Sequence, residues 1–416
     1  MNRRQAGTIL FFSALMVAQR LLEPAYAGFL VVFAFLAGAR FAAKDVAGPS
    51  LQPTATLVIV AISSVVVVLV TYLNHPDLRD VARDAGAIGS FFVGRYLVVS
   101  SRGQDPITEF MAGLSVVGVI VAMATLLGAA MAYATGADAY VWRGSFIPYA
   151  HTWIPYIIVA NYALVSLRPI HAKVYSRRIA YCVVATLAAL SRTDLLLEAL
   201  FLLALLFKYR AAIWRNRRHR QVVLVAAGAA ILLLPSFLGL EVVQQRVELG
   251  VGQDDSSMGW RLMESLAFLD HFAAAGWVQW MLGFGLGARV PLPEGILDFN
   301  DNTSIPHLHN SYLTVVLKFG GLGLALLALF CLRAWMRSRR VAGGPFEMHR
   351  VAGRWIVVFV LAKAMTLHGL TEWSHLLFLG VGCMLMRSVS GGRWVVARAI
   401  ELSRAPDFPS SMRAQR

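Results

Sequence analysis

The chain has 416 residues, of which 58% are hydrophobic and 15% charged, and a formal charge of +15. Its apolar content exceeds what a water-soluble globule of this length carries, which argues for residence in lipid. The positive charge is not read as a nucleic-acid footprint, because the Lys and Arg residues concentrate in short loops between apolar runs, the positive-inside pattern of membrane proteins.

At the N-terminus, Asn2-Arg3-Arg4, an apolar stretch over 6–18 and the triplet Ala25-Tyr26-Ala27 imitate a cleavable signal peptide. The polar break Gln19-Arg20 and the fresh apolar run over 26–39 fit a retained helical hairpin better. Further apolar runs, each near the length that crosses roughly 30 Å of hydrocarbon, predict about twelve spanning helices. They fall near 6–19, 24–39, 54–73, 86–99, 110–134, 151–167, 179–190, 194–207, 222–240, 311–332, 355–367 and 375–387. Assigning the basic loops to the cytoplasm places both termini inside. The expected fold is therefore an all-α polytopic membrane protein, one membrane domain over 1–387 followed by a basic cytoplasmic tail over 388–416. Cys182, Cys331 and Cys383 all lie within apolar runs and read as packing residues.

Two places in this map carry functional information. The apolar runs 179–190 and 194–207 are short for spanning helices and have basic outer flanks, so Ser191-Arg192-Thr193-Asp194 is expected at a recessed turn directed toward the periplasm. Arg192 would then line a cavity, with Asp194 as a candidate partner that softens its charge. The second place is 241–308, the one long segment without a span, expected to be a large periplasmic loop. Leu262, Leu266, Leu269, Phe272 and Ala273 fall near helical spacing there, which predicts short amphipathic helices over the membrane surface. The run Gly283-Phe284-Gly285-Leu286-Gly287 has the look of a dinucleotide fingerprint but no βαβ setting, and reads as a turn.

The loop ends in His307-Leu308-His309-Asn310-Ser311-Tyr312-Leu313, followed by Lys318-Phe319-Gly320-Gly321-Leu322-Gly323. This string resembles the shared signature of the O-antigen ligase and O-antigen polymerase superfamily. Ser191-Arg192 is similar to that family's second motif, although Thr193-Asp194 departs from the small residues expected after it. Trp260-Arg261 resembles the third, and the likeness covers roughly 150–385.

The resemblance implies a GT-C-like architecture in the bacterial inner membrane with its active site facing the periplasm. It also implies an activity: a glycan passes from an undecaprenyl diphosphate donor to an acceptor hydroxyl, the acceptor being lipid A core for a ligase or a second lipid-linked glycan for a polymerase. No cofactor, metal ion or nucleic acid is expected. The chemistry suits the residues. Guanidinium groups hold phosphate oxygens in a planar, two-pronged way, so Arg192 and Arg261 are candidates for the developing diphosphate charge. A histidine can take the acceptor proton at neutral pH, which makes His309 the candidate base. Snorkelling arginines and a helix-capping histidine are the structural alternatives. His307, Asn310, Arg289, Lys318 and Arg95 are candidate substrate-binding residues, Asn310 doubling as a possible helix cap. Lys363 is a further charge within an apolar run, open to cavity or snorkelling roles. His307 and His309 with Asp298 and Asp301 match no strong metal-ligand spacing. A transporter or flippase of a lipid-linked glycan is the rival class, since broken helices with buried charge also build transport sites.

Overall fold

The computed structural model describes residues 68–74, 76–82, 84, 106–135, 150–189, 191–215, 221, 256–292, 303–340, 346–365 and 374–385. The expected spans at 6–19, 24–39, 86–99 and 222–240 lie outside these residues, as do Arg95, Asp298, Asp301 and the basic tail. What is described is mostly helical. Helices α1 (Pro106–Thr135), α2 (Ile154–Leu167), α3 (Ala172–Ala189) and α4 (Arg192–Arg215) come first; α5 (Ser256–Ala273) and α6 (Trp277–Leu282) occupy the loop segment. Strands β1 (Val290–Pro291) and β2 (Ser304–Ile305) follow, then α7 (Ser311–Arg340), α8 (Glu347–Lys363) and α9 (Ser374–Leu385). Among the described residues, Met111–Ala132 within α1 and the whole of α7 are long and apolar enough to cross a membrane.

Helix α2 forms the centre. A 3-10 turn over Ala150–Trp153 leads into it, Pro155 sits in its first turn where a missing N–H costs nothing, and Ile154 to Ala160 are all buried. Around it pack α1, α3 and α8, with α9 against α8 and α7. Phe201 of α4 meets Trp355 and Phe359 of α8 edge to face, at 5.0 and 6.0 Å between ring centroids. A polar chain crosses this core: Arg178 donates to Ser115 Oγ at 2.7 Å, and Ser115 donates to Asn161 Oδ1 at 2.6 Å. Each group finds a partner, as burial requires.

Helices α3 and α4 differ from expectation in length. They have 18 and 24 residues, or about 27 and 36 Å at 1.5 Å per residue, because the helix continues into Lys173–Arg178 and Lys208–Arg215. Hydropathy marks where the apolar surface ends, whereas Lys, Arg, Ala and Tyr sustain a helix beyond it. The turn at Ser191 therefore joins two full helices, and short helices are not the cause of any recess there.

The loop segment has its own core of Ala267, Phe268 and Phe272 from α5, Val290 and Leu292, Ile305, Leu308, and Leu317 of α7. A two-stranded antiparallel ribbon, Val290 opposite Ile305, closes it; this was not foreseen in an all-helical reading. Helix α5 forms where short amphipathic helices are expected, and the residues of the expected apolar spacing divide between two faces. Leu262, Leu266 and Leu269 are exposed, while Glu264, Ala267, Phe268 and Phe272 form the buried face. The helix is apolar on two sides, and periodicity alone does not say which side the ribbon covers.

Helix α7 is kinked at Gly320, whose φ of 65° and ψ of −173° lie far from helical values. Gly283, with φ of 75°, crosses it so closely that a Cβ on Gly283 would lie 2.6 Å from Gly320 N. A Cβ on Gly320 would in turn lie 2.5 Å from Leu282 N. Only glycine fits both positive φ and this approach. The kink divides α7 into a first part, 311–319, packed on the loop core, and a second part, 321–340, about 30 Å long.

Candidate functional site

His309 lies in the last turn before α7. Asn310 opens that helix by accepting the Tyr312 N–H on its side-chain oxygen at 3.0 Å, so the capping role is realised in this structure. Thr314 Oγ1 accepts the Leu308 N–H at 3.0 Å, and Ser311 N donates to Ala364 O at 2.8 Å. The string is thus pinned on both sides before its imidazole is considered.

The imidazole is held by Glu264 of α5. Its Nδ1 lies 2.9 Å from both carboxylate oxygens, and the His309 backbone N–H donates to Oε2 at 2.9 Å. A carboxylate only accepts, so Nδ1 donates in this pairing. The Glu264 side chain is 4% exposed and that of His309 30%, which leaves the imidazole reachable from outside. One helical turn before Glu264 stands Arg261, whose Nε is buried and makes no hydrogen bond among the described residues. Arg261 thus stands on the helix that supplies the partner of His309, one turn from that partner, although forty-eight positions separate it from His309 in sequence. By contrast His271 stacks on Phe284 at 4.6 Å, and burial lowers its pKa; it is a neutral packing group.

Three of the predicted binding residues gather elsewhere, around acids of the segment 76–84. Lys318 is buried, its Nζ 2.8 Å from Asp84 Oδ2 and donating to Ala288 O at 2.5 Å. His307 Nε2 lies 3.4 Å from Asp84 Oδ1, and Gly287 N donates to Asp84 Oδ2 at 2.6 Å. Arg289 Nε pairs with Asp80 Oδ2 at 2.7 Å, its side chain remaining 43% exposed. Gly283, Gly285 and Gly287 all have positive φ, so the glycine run is a chain of turns that brings these groups to Asp84.

Arg192 is the first residue of α4, and only its backbone position is described. Its neighbour Asp194 is buried, accepts from Ser191 Oγ at 2.7 Å, and pairs through Oδ1 with Lys363 Nζ at 2.5 Å. Lys363 also donates to Thr152 O and sits over the Tyr156 ring at 5.1 Å. Lys363 ends α8, and the next residue, Ala364, is the one that receives Ser311 N. The end of α8 thus joins the Ser191-Arg192 turn to the His309 string. Three contacts, Asp194 with Lys363, Ser311 N with Ala364 O and His309 with Glu264, together with the chain between them, lead from the start of α4 to α5.

Sequence reasoning missed Glu264, Asp84, Asp80 and the pairing of Asp194 with Lys363. Glu264 carried a faint signal, an acid three positions after Arg261 on a largely apolar helix; the others come from distant segments. Among the described residues, no group of three or more His, Cys, Asp and Glu could hold a metal ion. No family model matches the chain, and no curated protein is significantly similar to it in sequence.

Proposed function

We propose that the protein transfers a glycan from an undecaprenyl diphosphate donor to an acceptor hydroxyl on the periplasmic side of the inner membrane, as an O-antigen ligase or polymerase does. The observation that supports this reading is the pairing of His309 with Glu264, one turn after Arg261 on α5, in a string that Ser311 and Ala364 tie to the end of α8 beside the start of α4. In the proposed reaction His309 Nε2 takes the acceptor proton, and the acceptor oxygen attacks the anomeric carbon. The new glycosidic bond forms there as the bond to the donor phosphate oxygen breaks. Undecaprenyl diphosphate leaves with the electron pair, its charge met by Arg261 and Arg192. Fixed guanidinium charge takes the part that a divalent ion plays in metal-dependent transferases, so the reaction needs no metal. Arg289 has an exposed side chain that suits an anionic or polar sugar, Asn310 keeps its amide nitrogen for a hydroxyl, and Arg95 is retained as a candidate from sequence. His307 and Lys318, tied to Asp84, act by shaping the site.

The same reading includes a GT-C-like bundle of about twelve spans with both termini cytoplasmic and 241–308 periplasmic. Two apolar helices of crossing length and the exposed leucines of α4 and α7 support it.

One observation favours the rival reading of a transporter or flippase: the buried Asp194–Lys363 pair, with buried Glu198 one turn further along α4. Turnover separates the two. Purified protein in nanodiscs, given an undecaprenyl diphosphate glycan and either lipid A core or a second lipid-linked glycan, is expected to form a new glycosidic product in excess EDTA. Relocation of the lipid without a product would overturn the transferase reading, and loss of product restored by magnesium or manganese would overturn its metal independence.

A further inference from the structure

Beside the Asp194–Lys363 pair the helical core holds another acid. Glu198 lies one turn after Asp194 on the same face of α4, is 2% exposed, and takes no part in the proposed transfer. A buried carboxylate is tolerated when a cation pairs with it and its oxygens are hydrogen-bonded. Asp194 meets both conditions, with Lys363 Nζ 2.5 Å from Oδ1 and Ser191 Oγ donating to Oδ2. At Glu198 the second condition fails. Its Oε2 is buried and makes no hydrogen bond among the described residues, and its Oε1 has Thr186 Oγ1 of α3 at 2.7 Å.

The first condition is no better met. Asp194 and Lys363 act on Glu198 with opposite signs, so the pair supplies little net charge to hold a second carboxylate. The other titratable groups around it are Cys182 of α3 and Tyr156 of α2, neither of them a cation, while Arg178, one turn before Cys182, is engaged with Ser115. The hydrogens point the same way. Thr186 Oγ1 is also 3.2 Å from Cys182 O, so its single hydrogen faces two acceptors if Glu198 is ionised. A proton on Glu198 completes the chain: the acid donates to Thr186 Oγ1, and Thr186 donates to Cys182 O.

We infer that Glu198 is a proton-binding site, holding one proton on Oε1 as a neutral carboxylic acid between Thr186 and the Asp194–Lys363 pair. The ligand is the proton itself, and with it bound the two acids and one ammonium carry no net charge. The site stands apart from the transferase reading, since neither the donor nor His309 enters it.

Infrared spectroscopy of the full chain in nanodiscs at neutral pH tests this, because a protonated carboxyl has a C=O stretch apart from the bands of carboxylates and amides. Wild type is expected to show such a band, displaced when the protein is made with carboxyl-labelled glutamate. Glu198→Gln is expected to abolish the label-sensitive signal, its NH2 group taking over the contact with Thr186. Thr186→Val leaves the acid O–H without its acceptor and is expected to displace the band while keeping its sensitivity to the label. That variant decides the matter if Glu198→Gln does not fold. A wild type without a glutamate-sensitive band, a band undiminished in Glu198→Gln, or a band unmoved by Thr186→Val overturns the inference.

Discussion

Glu264 has two hydrogen-bond donors to satisfy, the Nδ1–H and the backbone N–H of His309, and a carboxylate accepts both at once. An amide offers one accepting oxygen and one donating NH2 group. In either orientation of Glu264→Gln the NH2 group stands beside Nδ1, which lies 2.9 Å from both oxygen positions, and this favours the tautomer with the proton on Nε2, the atom assigned to take the acceptor proton. We expect Glu264→Gln to lower kcat about a hundredfold with little change in donor affinity, the range set by loss of a well-placed general base. Glu264→Asp keeps the charge on a shorter stem and is expected to fall in between. Single-turnover rates beside donor binding check this; a parallel collapse of affinity and rate would move His309 into the phosphate site.

The kink in α7 belongs to the scale of elements. Gly320 breaks the helix where α6 passes, and this lets 311–319 pack against the loop core while 321–340 runs on as an apolar segment. The crossing also holds the chain of turns, since Phe284 N donates to Leu317 O and Gly285 N to Lys318 O. A methyl group at 320 meets the backbone of Met281 and Leu282, which cannot rotate away as a side chain can. Gly320→Ala is therefore expected to cost about 1–3 kcal/mol, from a positive φ and displaced backbone together. Thermal unfolding in detergent reads the loss of stability. Gly321→Ala is the control, because its nearest neighbour would lie 3.4 Å away, at ordinary contact distance. Equal effects of the two substitutions would show that the crossing does not set the kink.

For the whole molecule the decisive quantity is which side of the membrane each segment occupies. The segment 76–84 pairs through Asp80 and Asp84 with Arg289, His307 and Lys318, so it shares a side with the loop that carries α5 and α6. In the proposed topology that side is the periplasm. A cysteine introduced at Ser256, at the start of α5, is expected to react with an impermeant maleimide from the periplasmic face of intact cells. Reaction only after the cytoplasmic side is opened would reverse the topology and remove the proposed site from its lipid-linked donor.

Helicity, two helices of membrane-crossing length and the capped start of α7 at Asn310 were legible in the residues themselves. Composition, apolar run length and local capping depend on neighbours in sequence, and α1, α2 and the start of α7 fall close to where those signals put them. The lengths of α3 and α4 were less legible, because helix propensity carries on past the end of an apolar run. What faces what was not legible. Glu264 on His309, Lys363 on Asp194, and Asp84 on Lys318 join residues separated by 45, 169 and 234 positions, and no local pattern encodes such contacts. The buried face of α5 was hidden for the same reason: both of its sides are apolar, and burial is decided by the ribbon and α7 that close over one of them. Residue chemistry named the candidate arginines and the histidine; packing between distant segments decided which acid holds the histidine, and that Lys318 and Lys363 are paired with acids of their own.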